Sequence, residues 1–449
     1  MISGAMFAIV VASVLSALSL RGLSATDRLP VPERLWFHAV ATWPIVVKAS
    51  LGSVVFATAL ADRSLNYPLI VYGPALVGGV LLFARRILQR GARLFGPGLL
   101  AAGAIVLAFP RVIFAGEQLV PTFIALGVLL PQVLRSDRVL TVDMWRRSAR
   151  WAIFLVISSV LATAVISPTL IIGECRLDKC SVFGQTLISP ITNNGNFLGV
   201  AVAILLPLAL PTGRAFQTAA TAASSLVIIE VSGSRAALTA ACFVLVVLVV
   251  AWLTRRATLV TSLGFALAAV ASIVTATVPF PYDFATYRGL LWTRARELLE
   301  GHLTLGRGPS YWTNNEQLVS VFPNYSPHNQ WLELAVSGGI VMVALVAACL
   351  VWAVRVVPPD DRPYVALALA AVLAVGVLEA PFSPAKLGLA PFALLLPLAI
   401  AGGSDHVRPV VPAMARLQPH DSAQQQDATV PARRRPGAHR PSRCFGLRR

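Results

Sequence analysis

The chain has 449 residues, of which 56% are hydrophobic and only 13% charged. So little charge excludes a soluble globular domain of this length. The formal charge of +17 and the isoelectric point near 10.9 do not point to nucleic acid: the arginines lie in short loops between apolar runs and in the tail, as the positive-inside rule describes.

Repeated apolar runs of roughly 18–25 residues are long enough to cross a bilayer as helices. The first covers Met1–Leu20. It lacks a basic start and a small-residue cleavage site, so it reads as a retained span rather than a signal peptide. Arg21, Arg28 and Arg34 follow, and then spans at about Trp36–Ala61 and Tyr67–Ala84. Arg85, Arg86, Arg90 and Arg93 form an acid-free cytoplasmic loop. Spans at Gly98–Ala115 and Leu119–Leu134 come next, with Arg111 near enough to the outer end to snorkel. A second basic cytoplasmic loop covers Arg135–Arg150.

Trp151–Ile172 returns the chain outward to a loop carrying Cys175 and Cys180. That pair is a candidate disulfide in an oxidising compartment, with two free thiols as the alternative. Leu187–Pro211 goes in, interrupted by Asn193, Asn194 and Asn196, which can line a cavity or cap the helix start. Ala215–Val231 comes out and ends in Ser232-Gly233-Ser234-Arg235. Ala236–Leu253 reaches a cytoplasmic Arg255-Arg256, and Leu259–Pro279 leads out again. Beyond the long loop lie Trp331–Val354, Tyr364–Leu378 and a short last span at Leu387–Ala401. Cys242 and Cys349 fall within spans and read as packing residues.

The expected fold is therefore an all-α polytopic membrane protein with 12–13 transmembrane helices over residues 1–401. It carries one large extracytoplasmic loop at 281–330 and a disordered basic cytoplasmic tail over 402–449. Anionic membrane lipid is the expected partner of the basic loops and tail, and nucleic acid is not expected.

The long loop is the polar exception in this apolar chain. Its charges nearly cancel, with Arg288, Arg294, Arg296 and Arg307 against Asp283, Glu297, Glu300 and Glu316. Ala285–Gly301 reads as a helix with Leu290, Leu291, Leu298 and Leu299 on one side, suited to lie apolar side down on the membrane and to stop at Gly301. Arg288 and Trp292, four apart, share a face. Gly306-Arg307-Gly308-Pro309 forces a sharp turn. His328 immediately precedes the next span, at the outer lipid–water boundary. Arginine suits phosphate because its planar fork binds oxygens bidentately and keeps its charge. Histidine can exchange a proton near neutral pH. On position alone, though, a loop histidine is more often plain surface, and an arginine at a span end more often snorkels. No phosphate-cradling Gly-rich loop with lysine, no HExxH and no acidic cluster suited to a metal is present, so no cofactor is expected.

Ser232-Gly233-Ser234-Arg235 at a helix end, Arg288 with Trp292, Gly306-Arg307-Gly308, and His328-Asn329 followed by Gly338-Gly339 together resemble the O-antigen ligase and polymerase superfamily, over roughly Leu187–Val354. The resemblance implies a metal-independent glycosyltransferase of GT-C-like, multi-span architecture. Such an enzyme takes a glycan from an undecaprenyl-diphosphate carrier on the outer face and passes it to a hydroxyl on a glycan, lipid or protein acceptor, in cell-envelope or exopolysaccharide synthesis. It implies His328 as catalytic base, Arg235, Arg288 and Arg307 as diphosphate-binding cations, and Asn329, Trp292, Gly306 and Gly308 as supporting residues. Relatives often carry an acid just before the glycine of the last motif. Here that position is Ser337, with Glu333 one turn earlier. Ligase and polymerase both stay open. A flippase or transporter of lipid-linked saccharide is the competing reading, disfavoured because the polar groups gather in one outer layer instead of along a midplane path.

Overall fold

The computed structural model describes residues 3–21, 28–48, 66–89, 93–109, 119–135, 140–175, 180–188, 195–210, 215–309, 311–314, 326–382 and 397–402. Arg90, Arg111, Asn193, Asn194, Glu316 and the tail beyond residue 402 lie outside them. The described chain is helical apart from one short hairpin. Its main helices are α1 (Gly4–Ser19), α2 (Val31–Ala41), α3 (Asn66–Leu88), α4 (Gly96–Val106), α5 (Leu119–Leu129), α6 (Val142–Ile166), α7 (Asn196–Ala209), α8 (Ala215–Val231), α9 (Arg235–Thr254), α10 (Ala257–Thr277), α11 (Phe284–Leu299), α12 (Gln330–Val356) and α13 (Arg362–Gly376). Strands β1 (Ile172–Glu174) and β2 (Gln185–Leu187) pair antiparallel.

Among the described residues five stretches are long and apolar enough to cross a bilayer by themselves: Leu69–Leu88, α6, α9, α10 and α12. On α9 and α10 many of the exposed side chains are large and apolar, among them Val246, Val249, Leu263, Leu267 and Val270. A surface of that kind is solvated by lipid. At the centre lies α7, buried along nearly its whole length and packed against α6, α8, α9 and α13. The protein is thus an all-α membrane protein, as its composition requires.

Several boundaries differ from those expected. α6 starts at Val142, so Arg146, Arg147 and Arg150 belong to a helix and are buried, not set in a loop. The local reason is Thr141, whose hydroxyl accepts the Met144 N–H, with Asp143 in the first turn. The second span breaks at Thr42, ahead of Pro44, and a short turn of helix over Trp43–Val46 follows. α7 begins after Gly195. Cys349 packs in the core, its thiol against the Pro97 carbonyl, while Cys242 lies on the exposed side of α9.

Buried cations knit one end of the bundle. Arg150 donates to the Ser19 carbonyl at 3.4 Å and to Gln217 at 3.2 Å, and Gln217 donates to the Arg21 carbonyl. This joins α1, α6 and α8. Arg86 donates to the carbonyls of Pro131 and Leu134, and Arg146 pairs with Asp143 while lying 3.5 Å from the Tyr364 ring centre. Arg150 and Arg86 thus bond carbonyls at helix ends, which extends their part beyond attracting lipid.

The other end of α1 meets the hairpin, where Gly4 leaves room for the Phe183 backbone. Cys175 and Cys180 form a disulfide there, so the two-thiol alternative is set aside. The Val182 N–H donates to Glu230 at 3.0 Å, tying the hairpin to the last turn of α8.

Candidate active site

α9 and α10 are joined by the tight turn at Arg255–Arg256 and pack against each other. Arg235 and Thr277 therefore stand at the same end of the bundle. His328 reaches that end through Asn329, which heads α12. Asn329 is fully buried, and its Oδ1 accepts the N–H groups of Trp331 at 3.0 Å and Leu332 at 3.2 Å, the work of a helix N-cap. Its amide nitrogen donates to Thr275 Oγ1 at 2.9 Å and to the Val377 carbonyl at 3.3 Å. One side chain thus starts α12 and ties it to the ends of α10 and α13.

Gln330 and Trp331 extend the lattice. Gln330 pairs with the Phe382 backbone in both directions, at 2.7 and 2.9 Å. The Trp331 indole donates to Ser272 at 2.7 Å. The segment after α13 is thereby fixed against the start of α12, and on it sits Glu379.

Glu379 is the residue that sequence reasoning missed, and it organises the site. Its Oε2 lies 2.6 Å from His328 Nδ1, and its Oε1 accepts Arg288 Nη2 at 2.8 Å. The three side chains are only 14–19% exposed. The backbone of His328 is left-handed, with φ 50°, a conformation costly for a residue with a Cβ and held here by the surrounding bonds. Its N–H donates to Ser326 Oγ at 3.0 Å. Arg288 is equally constrained: Nε donates to the Leu378 carbonyl at 2.8 Å and Nη1 to the Ala285 carbonyl at 3.0 Å. Three of the five N–H donors of a guanidinium thus serve the protein itself.

Burial by itself would raise the Glu379 carboxyl. The His328 charge and hydrogen bond, then those of Arg288, outweigh it and bring the pKa from the ordinary 4.5 down to about 2. A carboxylate depressed in the folded state stabilises the fold fully above its unfolded value and loses that contribution as pH falls through the folded one. The difference in thermal midpoint between wild type and Glu379→Gln is accordingly expected to shrink as pH drops from about 4.5 towards about 2. A difference that persists undiminished at pH 2 contradicts the assignment.

The other expected residues are placed as follows. α11 runs Phe284–Leu299 and stops before Gly301, which has φ 72°. Regular helix begins only at Arg288, because Ala285, Thr286 and Tyr287 are left-handed. Leu291, Leu298 and Leu299 are buried in the protein and do not lie on the membrane surface; Arg296 ties the helix to the end of α10 through the carbonyls of Ala276 and Val278. Trp292 is fully buried against Phe280 and Phe284, a packing residue under Arg288.

Gly306 and Gly308 belong to a backbone handshake. α12 breaks at Gly338–Gly339, which strands the Val336 carbonyl and the Ile340 N–H. Arg307 N–H donates to Val336 at 2.7 Å, and Ile340 N–H donates to the Leu303 carbonyl at 2.8 Å. Non-helical backbone survives in such a span only when its polar groups are met by protein. A Cβ on Gly306 would lie 2.6 Å from the Ala335 and Val336 carbonyl oxygens, and one on Gly339 would run into Thr304. Arg307 donates Nε to the Leu298 carbonyl at 2.9 Å and lies 5.4 Å from the Tyr311 ring centre.

Arg235 is the first residue of α9 and is exposed. Among the described residues its side chain makes no hydrogen bond or ion pair. Beside it Ser234 stands at the N-cap without capping, its hydroxyl buried and lacking a hydrogen-bond partner among the described residues. Gly199 of α7 leaves the space in which Ser232 and Ser234 sit. An open helix N-terminus, an orphaned hydroxyl and an exposed arginine are together groups of the kind that suit an anion. The structure therefore brings His328 and Arg288 together through Glu379, and puts Arg235 at the same end without bonding it to either. Among the described residues no group of three or more His, Cys, Asp or Glu side chains is placed to hold a metal ion.

No family model matches this chain, and neither a curated protein nor a solved structure is similar to it.

Proposed function

We infer that the chain is a membrane glycosyltransferase that moves a glycan from a polyprenyl-diphosphate carrier to an acceptor hydroxyl on the outer face of the cytoplasmic membrane. The observation that carries this reading is the His328–Glu379–Arg288 cluster at the bundle end opposite the arginine staples. Those staples mark the cytoplasmic end by the positive-inside rule.

The chemistry follows from the tautomer. A carboxylate on Nδ1 fixes the proton there and makes Nε2 the basic nitrogen of the ring. Nε2 takes the acceptor hydroxyl proton as the oxygen attacks the sugar anomeric carbon. The bond from that carbon to the phosphate oxygen breaks, and the diphosphate leaves with the electron pair. Its charge is met by fixed cations and the open end of α9. Arg235 carries most of this, because Arg288 already spends three donors on the protein. Arg307 has a similar constraint through Leu298.

The test is transfer from a purified polyprenyl-diphosphate glycan to an acceptor glycan by protein in detergent. His328→Ala is expected to lose on the order of 10²–10⁴-fold in rate while still binding the donor. Unchanged transfer in that variant removes the base. Carrier movement across vesicles by the wild type, with no bond made, replaces the enzyme by a flippase.

A further inference from the structure

Between α2, the Trp43–Val46 turn, α3 and α6 lies a groove of about 590 Å³. Among its lining residues are His38, Trp43, Val46, Pro74, Leu155 and Ser159. Their polar atoms are turned to the protein: His38 Nδ1 meets Thr42 Oγ1 at 3.0 Å, the Trp43 indole donates to the Ile70 carbonyl at 3.0 Å, and Ser159 donates to the Val156 carbonyl at 2.7 Å. What the wall offers a visitor is hydrocarbon. The volume falls in the range of ligand sites.

The start of α2 is anchored near the basic end, where Glu33 lies 3.9 Å from Arg85. Lys48 lies 15 residues beyond Glu33, a rise of at most about 22 Å for helix, and two residues beyond Val46 of the groove wall. Lys48 is 7% exposed, and its ammonium lies 4.4 Å from the Phe197 ring centre and 5.3 Å from that of Tyr72. A cation so buried is costly and marks function by default. Phe197 is the second residue of α7, and Gly199, two residues on, packs against Ser232 and Ser234 ahead of Arg235. The apolar groove leads through Val46 to Lys48, and the start of α7 links Lys48, by way of Phe197 and Gly199, to the serines ahead of Arg235.

We propose that this track binds a polyprenyl phosphate lipid, its chain in the groove and its phosphate drawn to Lys48 on the way to Arg235. The assignment rests on the glycosyl-transfer reading above, and names where the carrier lies. An ordinary phospholipid shares the chemistry of chain and phosphate, and the experiment separates the two.

Purified protein is titrated with polyprenyl phosphate, with unphosphorylated polyprenol and with phosphatidylglycerol, and bound lipid is counted by native mass spectrometry. Lys48→Met is expected to weaken polyprenyl phosphate about tenfold, or about 1.4 kcal/mol, and to leave polyprenol unchanged. Lys48→Arg restores the affinity. Ser158→Trp, which fills the groove, weakens both polyprenyl lipids, with thermal unfolding checking that each variant is folded. Unaltered binding in both Lys48→Met and Ser158→Trp overturns the track, and leaves the enzyme reading standing while transfer still needs His328. Equal competition by phosphatidylglycerol overturns it in favour of general lipid. A wild type that binds no polyprenyl phosphate fails the track and the transfer reading together.

Discussion

Glu379→Gln is expected to cut the turnover of glycan transfer on the order of 10²-fold or more, with less than a threefold change in donor KM. The amide keeps the size of the side chain but removes the charge that both His328 and Arg288 address at 2.6 and 2.8 Å. An amide can turn its NH2 to His328 and select the wrong tautomer, which removes the lone pair from the acceptor side. Arg288 retains its bonds to Leu378 and Ala285, so donor binding is largely kept. That split between turnover and KM separates a positioning role from general loosening of the fold, which would damage both. Glu379→Asp, with the charge kept and the reach shortened, should recover part of the rate. Equal loss in the aspartate and glutamine variants, or a change confined to KM, counts against the positioning role.

The second large effect is expected at Gly339, as a loss of stability. Its φ of 68° and ψ of −168° lie in a region that is essentially glycine's alone. A side chain there also collides with the Thr304 carbonyl. Gly339→Ala therefore meets backbone strain of about 1–3 kcal/mol and dislodges the 303–308 loop, which leaves the Ile340 N–H unpaired and the buried Val336 carbonyl unpaired at about 1–3 kcal/mol. Gly103→Ala is the control, since a Cβ there meets nothing within 4 Å in α4. Thermal unfolding in detergent should show Gly339→Ala well below both wild type and the control. Equal midpoints for the two variants contradict the handshake.

Much of this architecture was readable from the chain, for reasons that also mark where reading stops. Hydropathy marks the membrane class because the bilayer demands long apolar runs, but it misplaced the start of α6. Arg146, Arg147 and Arg150 lower the average of a helix whose Thr141 cap was a legible local signal. His328, Arg288 and Asn329 stood out as polar groups at span boundaries. Glu379 did not, because 51 positions separate it from His328 and no motif spacing links them. Its only signal was a lone acid at the end of an apolar span. Lys48 gave the same kind of signal and was passed over inside a run read as anchor. Gly306 and Gly308 were visible as a turn and Gly338-Gly339 only as part of a motif, and their docking runs through backbone hydrogen bonds, which leave no side-chain pattern to read.

The Cys175–Cys180 bridge bears on orientation through chemistry unrelated to arginine counting. Disulfides persist where solvent is oxidising and are reduced where thiols are buffered. Through Val182 and Glu230 the bridge is tied to the last turn of α8, and so to the turn that leads into Arg235. Sulfur redox thus gives the proposed orientation a bearing independent of side-chain charge: in it the glutamate-linked histidine and the open end of α9 lie on the side where electrons are scarce. On the transfer reading proposed above, a catalyst so oriented works on a bond whose energy was stored before the carrier arrived.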